Sequence, residues 1–329
     1  MLEHGGHILQ AARRYDIPRE KWLDLSTGIN PIGWPIPALP AEVWHRLPEE
    51  MDGLAEAAAA YYDTSLLLPI AGSQAAIQTL PALRGVSHVG ILSPSYREHA
   101  HAWQRHQHQV IELDQHHIES VIDHLDVLVL CNPNNPTGCR FAPDTLLGWR
   151  ERLAARGGWL VVDEAYTDAE PALSIVQHAG EPGLVVLRSL GKFFGLAGVR
   201  LGFIAAWPAL LVQMQETLGP WTVNGPARWI ARQALRDTHW QDATRQRLLH
   251  DSARLVALLT RYGLRPTGST ALFQSVHTPR AQAVHEQLAR SGILVRVFSE
   301  PSSLRFGLPG ATSEWERLDV ALASVGLQS

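Results

Sequence analysis

Only two lysines, Lys21 and Lys192, stand among the 28 basic residues of this 329-residue chain; the other 26 are arginines. Chemistry that needs a primary amine therefore has two candidates. Lys192 lies in Arg188-Ser189-Leu190-Gly191-Lys192-Phe193-Phe194-Gly195-Leu196-Ala197-Gly198-Val199-Arg200, directly after an apolar run and among glycines. An amine can act there as a nucleophile, whereas arginine stays protonated and cannot. Lys21, in Arg19-Glu20-Lys21-Trp22, has no such context and reads as dispensable. Asp163 ends the run Trp159-Leu160-Val161-Val162. An acid at the end of a buried strand is costly unless paired, and a cationic ring nitrogen would be a fitting partner; an acid capping a helix is the plainer alternative. In Cys131-Asn132-Pro133-Asn134-Asn135-Pro136-Thr137-Gly138, two prolines and a glycine fix a turn that presents the Asn135 amide. Gly72-Ser73-Gln74 opens a helix whose free N–H groups and dipole suit a phosphate, although an ordinary helix start looks the same.

Positioning these residues requires a sheet. The runs Val89–Leu92, Val127–Leu130, Trp159–Val162 and Leu184–Leu187 are short, apolar and rich in β-branched residues, as in buried parallel strands. Helical patterns lie before and between them, at residues 72–83, 96–109, 144–156 and 171–179. Strand and helix in alternation predict a doubly wound α/β domain, and ligands of such sheets sit at the C-terminal ends of the strands. Beyond residue 207 the pattern changes to long amphipathic stretches, short strands at 271–276, 294–298 and 304–307, and a closing helix at 314–325. The expected division is an N-terminal arm over 1–35, a large ligand-binding domain over 36–207, and a helical connection with a small α+β domain over 208–329.

Composition narrows the function. Twenty-eight basic against 32 acidic residues leave a net charge of −4, which argues against nucleic acid or anionic membrane as partner. No apolar run approaches the roughly 18 residues that span a bilayer, and the start lacks a signal-peptide pattern. Two cysteines, Cys131 and Cys139, exclude a disulfide framework. The expectation is a cytoplasmic protein. The histidines 99, 101, 106, 108, 116 and 117 lack carboxylate or cysteine partners at metal-site spacing, so they read as a polar helix face running into a loop, with no metal expected. No G-x-G-x-x-G follows an early strand, which sets aside a nicotinamide enzyme.

Taken in order, the four loops with Tyr96 of Ser93-Pro94-Ser95-Tyr96 resemble the pyridoxal-phosphate enzymes of the aspartate-aminotransferase fold, over nearly the whole chain. The resemblance implies fold type I, with a large, mostly parallel sheet domain, a smaller α+β C-terminal domain, and a homodimer with its site at the subunit interface. It implies pyridoxal 5'-phosphate as cofactor. Lys192 would be the amine that binds the cofactor aldehyde, and Asp163 the partner of its pyridine nitrogen. Asn135 and Tyr166 would hydrogen-bond the 3-oxygen, and Tyr96 would stack on the ring. Ser73, Gln74, Ser189 and Arg200 would take the phosphate. Arg305, in Leu304-Arg305-Phe306-Gly307, resembles the family arginine for the substrate carboxylate. Two positions depart from the family: Gly191 replaces a Ser or Thr before the lysine, and Leu47 replaces a tyrosine that reaches the partner subunit's cofactor phosphate.

Within the fold, His4-Gly5-Gly6, the turn Ser26-Thr27-Gly28-Ile29-Asn30-Pro31-Ile32-Gly33, the GKFFGLAGVRLGF segment and Leu218–Pro226 resemble the threonine-phosphate decarboxylase-like branch of cobalamin biosynthesis. That implies decarboxylation of L-threonine O-3-phosphate to (R)-1-aminopropan-2-ol O-phosphate, with His4, Asn30 and Arg305 on the substrate. A histidinol-phosphate-like aminotransferase would use the same cofactor residues, differing in which bond at Cα lies perpendicular to the ring. A non-catalytic pathway protein on this fold is the third reading, and it would have little reason to keep Lys192.

Overall fold

The computed structural model describes residues 5–325. They form two compact units, one of residues 34–135 and 140–242, the other of residues up to 33, 136–139 and 243 onward. In chain order, β1 (Leu23–Asp24) belongs to the second of these. The strands β2 (Leu67–Ile70), β3 (His88–Leu92), β4 (Gln109–Leu113), β5 (Val127–Cys131), β6 (Trp159–Asp163), β7 (Leu184–Ser189) and β8 (Gly202–Ala206) build the larger unit, and β9 (Gly268–Thr270), β10 (Phe273–His277), β11 (Ile293–Leu294), β12 (Arg296–Phe298) and β13 (Ser303–Gly307) the smaller.

The expected α/β architecture is present. The large sheet has the order β2-β8-β7-β6-β5-β3-β4, in which only β8 runs antiparallel to its neighbours. The central strands β5 and β6 are buried along their whole length, because helices cover both faces of a parallel sheet. On one face, Val127, Val129, Val161, Val185, Leu187 and Ile204 alternate inward and meet Ile77, Leu80, Trp103, Leu210 and Met214 from the flanking helices. The helices at Ser73–Thr79, Glu98–Arg105 and Pro143–Ala154 fall where the amphipathic patterns predict them. The stretch 171–179 instead forms two separate 3-10 turns, Pro171–Leu173 and Val176–His178, too short for a helix.

The smaller unit has the antiparallel sheet β12-β13-β10-β9 and the parallel pair β1-β11. Helices Ala281–Arg290 and Thr312–Ser324 pack there, with Ile8–Tyr15 joining through Ala11, Trp22 and Ala289. Among the described residues, no helix is long and apolar enough to cross a membrane.

Candidate active site

Strand direction gathers the chemistry. The C-terminal ends of β2, β7, β6, β5 and β3 share one edge of the large sheet, and the turn entering antiparallel β8 reaches that same edge. Residues from the loops after these ends are the ones singled out in the sequence.

Ile70, Gly202 and Ser189 are cross-strand neighbours. This register seats the start of the Ser73–Thr79 helix on β8. A Cβ on Gly202 would lie 2.8 Å from the Ser73 amide nitrogen and 2.5 Å from the Arg188 carbonyl, so only glycine allows the approach. Gly72 is constrained by its backbone, at φ +72°, and its Cβ position lies 2.8 Å from the end of the Arg200 side chain. Ser73, Ser189 and Arg200 are therefore close neighbours around two side-chain-free positions. Gln74 reaches the other way, its Oε1 accepting from Tyr96 Oη at 3.2 Å while its Nε2 donates to Glu98 at 3.1 Å. Ser189 Oγ accepts from the Gly191 amide at 3.2 Å.

The asparagine loop divides its labour. Asn132 closes it, exchanging hydrogen bonds with the Phe141 backbone at 2.9 and 3.1 Å. Asn134 ties it to the Tyr96 loop, accepting from Ser95 Oγ at 2.7 Å and donating to the Pro94 carbonyl at 2.9 Å. With those two holding the turn, Asn135 remains half-buried at the strand end.

Asp163 is buried at the end of β6, directly beside Cys131 of β5. Its Oδ1 accepts from the Ala165 amide at 3.1 Å. His99 Nε2 donates to its Oδ2 at 3.1 Å. Tyr166, three residues on, is buried, and Lys192 Nζ lies 5.5 Å from its ring centroid. The two aromatic residues after Lys192 anchor its loop: Phe193 and Phe194 are fully buried against Trp240, Phe194 stacking on it with centroids 5.6 Å apart.

His99 corrects the reading of the histidine run as a polar face. His99 and His108 are buried, and His108 Nε2 donates to the Pro81 carbonyl at 2.9 Å; His101, His106, His116 and His117 are exposed as expected. Burial is the largest influence on His99 and disfavours its charged ring, but hydrogen bonds to Asp163 and Cys131 outweigh it and push the pKa up to about 10. His99, Cys131 and Asp163 also place a nitrogen, a sulfur and an oxygen within 4.8 Å of one another, a grouping the sequence spacing did not suggest.

The remaining expected residues lie in the smaller unit or outside the described residues. His4 is among the latter. Asn30 is buried and its Oδ1 accepts from the Ile32 amide at 3.1 Å and Arg247 Nη2 at 3.0 Å. Arg305 is buried on β13, donates to the Ser26 carbonyl and lies over the Phe273 ring. Arg296 of β12 stands directly across from Arg305. Cross-strand neighbours share a sheet face, so two cationic side chains stand side by side there. Nothing in Leu294–Phe298 marked Arg296 until the strand pairing was known.

The family model described as aminotransferase class I and II matches residues 47–325. The chain is 55% identical over 322 residues to a threonine-phosphate decarboxylase of Pseudomonas aeruginosa, covering 98% of this chain and 97% of that one. It is 43% identical to a protein of the same name from Sinorhizobium sp, covering 99% of each. The crystal structure of the histidinol-phosphate aminotransferase from Clostridium acetobutylicum superposes with a TM-score of 0.81 at 22% identity, over 92% of this chain and 98% of that one, a likeness of fold alone. The chain belongs to the class I and II aminotransferase family.

Proposed function

We propose that the protein is a pyridoxal-phosphate-dependent carboxy-lyase that converts L-threonine O-3-phosphate to (R)-1-aminopropan-2-ol O-phosphate for cobalamin biosynthesis. The observation that carries the substrate is the 55% identity to a threonine-phosphate decarboxylase across nearly the full length of both chains.

The site suits the cofactor. A side-chain-free cradle at Gly72 and Gly202 lies beside Ser73, Ser189 and Arg200, whose amide, hydroxyl and guanidinium donors suit a phosphate. Asp163 is a buried carboxylate oriented by His99, the partner a protonated pyridine nitrogen needs. Tyr166 and Asn135 would be the donors for the ring 3-oxygen, Tyr96, held by the Gln74 side chain, would flank the ring, and Lys192 would supply the amine. When bound, the cofactor serves as the sink for the electrons of the bond broken at Cα. Lys192, whose amine lies beside Tyr166, returns a proton to the substrate Cα after CO₂ leaves. Arg305 takes the substrate carboxylate, and Arg296, Asn30 and His4 orient the substrate phosphate. Together these groups would orient the substrate so that the bond to its carboxylate is the one that breaks.

The working form is a cytoplasmic homodimer. Ile36, Trp44, Leu47, Met51 and Trp221 are exposed apolar side chains of the larger unit, and the Cβ position of Gly225 lies 2.4 Å from the Val43 carbonyl, which packs the 42–47 segment on the helix following Trp221. An apolar surface of this kind is what a second copy covers. Leu47 gives that interface an apolar side chain at the position where the family resemblance expects a tyrosine hydroxyl, so that one contact to the partner's cofactor phosphate is lost.

Cofactor-loaded protein given L-threonine O-3-phosphate releases CO₂ without 2-oxoglutarate. Amino transfer to a keto acid without CO₂ release would assign it to the aminotransferases instead. Lys192→Ala loses the visible absorbance of the bound cofactor and lowers turnover by about 10³-fold or more.

A further inference from the structure

The loops that carry Asp163, Tyr166 and Lys192 are joined by charges that the chemistry above does not use. Arg188, next to last in β7, ion-pairs Glu164 through Nη1 and Asp168 through Nη2. All three are buried, at 3%, 0% and 1% exposure. Ser174 Oγ donates to Glu164 Oε2 at 2.5 Å and the Ile175 amide to Oε1 at 2.8 Å. Tyr61 Oη donates to Asp168 Oδ1 at 3.1 Å, and the guanidinium lies 4.7 Å from the centroid of the Tyr62 ring.

The placement along the chain is specific. Glu164 directly follows Asp163, Asp168 lies two residues past Tyr166, and Arg188 directly precedes Ser189 on the strand leading to Lys192. One guanidinium thus grips both ends of the Asp163–Asp168 loop from the strand that delivers the amine. Stability alone is a weak reason for such a group. Desolvating buried ions offsets most of their attraction, and a packed apolar trio is often as stable. A planar fork that binds two carboxylates does what apolar packing cannot: it fixes direction as well as distance. A displacement of about 1 Å at a reacting group costs on the order of 10²-fold in rate.

We propose that Arg188 is a positioning residue whose bidentate grip on Glu164 and Asp168 sets the placement of the Lys192 amine relative to Asp163 and Tyr166. It touches no reacting atom. The inference rests on the pyridoxal-phosphate reading of the site, and it predicts that charge without the fork is insufficient.

The experiment compares wild type, Arg188→Lys, Arg188→Met, Glu164→Gln and Asp168→Asn in cofactor affinity, visible absorbance against pH, kcat and KM for threonine phosphate, and thermal midpoint. Lysine keeps the charge but cannot hold both carboxylates. The expected result is a folded Arg188→Lys with kcat about 10-fold or more below wild type, KM within about twofold, and a displaced pH midpoint of the cofactor absorbance. Wild-type kcat and absorbance in folded Arg188→Lys overturn the proposal and leave a charge-balancing role. Should both Arg188 variants fail to fold, Glu164→Gln and Asp168→Asn each release one arm, and wild-type kcat and absorbance in both overturn it equally. Wild type that binds the cofactor without releasing CO₂ rejects the decarboxylase reading alone, because the absorbance and affinity comparison still tests the grip.

Discussion

His99 keeps its charge in a place that opposes it. Desolvation works against the imidazolium, and the bonds to Asp163 and Cys131 hold it, so the pKa rises from 6.5 to about 10. A group raised in this way stabilises the fold fully below its unfolded pKa, and that contribution fades as pH climbs through the folded value. His99→Gln is therefore expected to be less stable than wild type near pH 6, with the gap closing between pH 6.5 and 10. Urea unfolding across that range measures it, and a gap independent of pH would reject the charged ring. Asp163→Asn tests the partner: a neutral amide no longer favours a protonated pyridine nitrogen, and turnover falls by about 10²-fold or more while the protein still folds. Asp163 was readable in the sequence because a carboxylate ending a β-branched run is chemically conspicuous. His99 was not. Five histidines follow it within nineteen residues, and a helix turns only one stripe inward; here that stripe is His99, Ala102 and Trp103. The i, i+3, i+4 spacing with Trp103 was the available signal.

At the scale of elements, glycine decides how closely helix and strand ends approach. Gly202→Ala is expected to destabilise the protein by about 1–3 kcal/mol, because neither the Arg188 carbonyl nor the Ser73 amide can retreat without moving its element. Cofactor affinity falls with it, which titration of the apoprotein reports. Gly148 is the contrast. It lies within the helix Pro143–Ala154 with open space at its Cβ position, and Gly148→Ala is expected to stabilise by about 0.5–1 kcal/mol in thermal unfolding. Of the large sheet, β3, β5, β6 and β7 declared themselves in the sequence as apolar runs. β4 escaped notice because it is an edge strand whose residues are mostly exposed, so no apolar run marks it. β2 contains Pro69, and β8 opens on Gly202. Both are depleted residue types in strands, yet each has a positional reason.

For the whole molecule, the exposed apolar side chains make the strongest demand. Met51 is 96% exposed, Trp44 66% and Leu47 64%. On the homodimer reading, wild type sediments as a dimer and the double variant Trp44→Glu with Met51→Glu as a monomer; a wild type that itself sediments as a monomer rejects that reading. The net charge of −4 argues against polyanionic partners but says nothing against a small anionic substrate, because arginines can be gathered locally, as Arg296 and Arg305 are on adjacent strands. Such a convergence is invisible to composition, because it depends on register.

Scarcity of lysine also gives the protein an internal gauge of its own occupancy. A protease that cuts only after lysine can cleave the denatured chain at two places, after Lys21 and after Lys192. An adduct fixed irreversibly on the Lys192 amine blocks the second cut and leaves the peptide continuous through to the C-terminus, with the added mass on it. The ratio of cut to uncut peptide then counts loaded sites directly, and Lys21, exposed in the Arg19–Lys21 turn, serves in the same digest as the control for amines modified without selectivity.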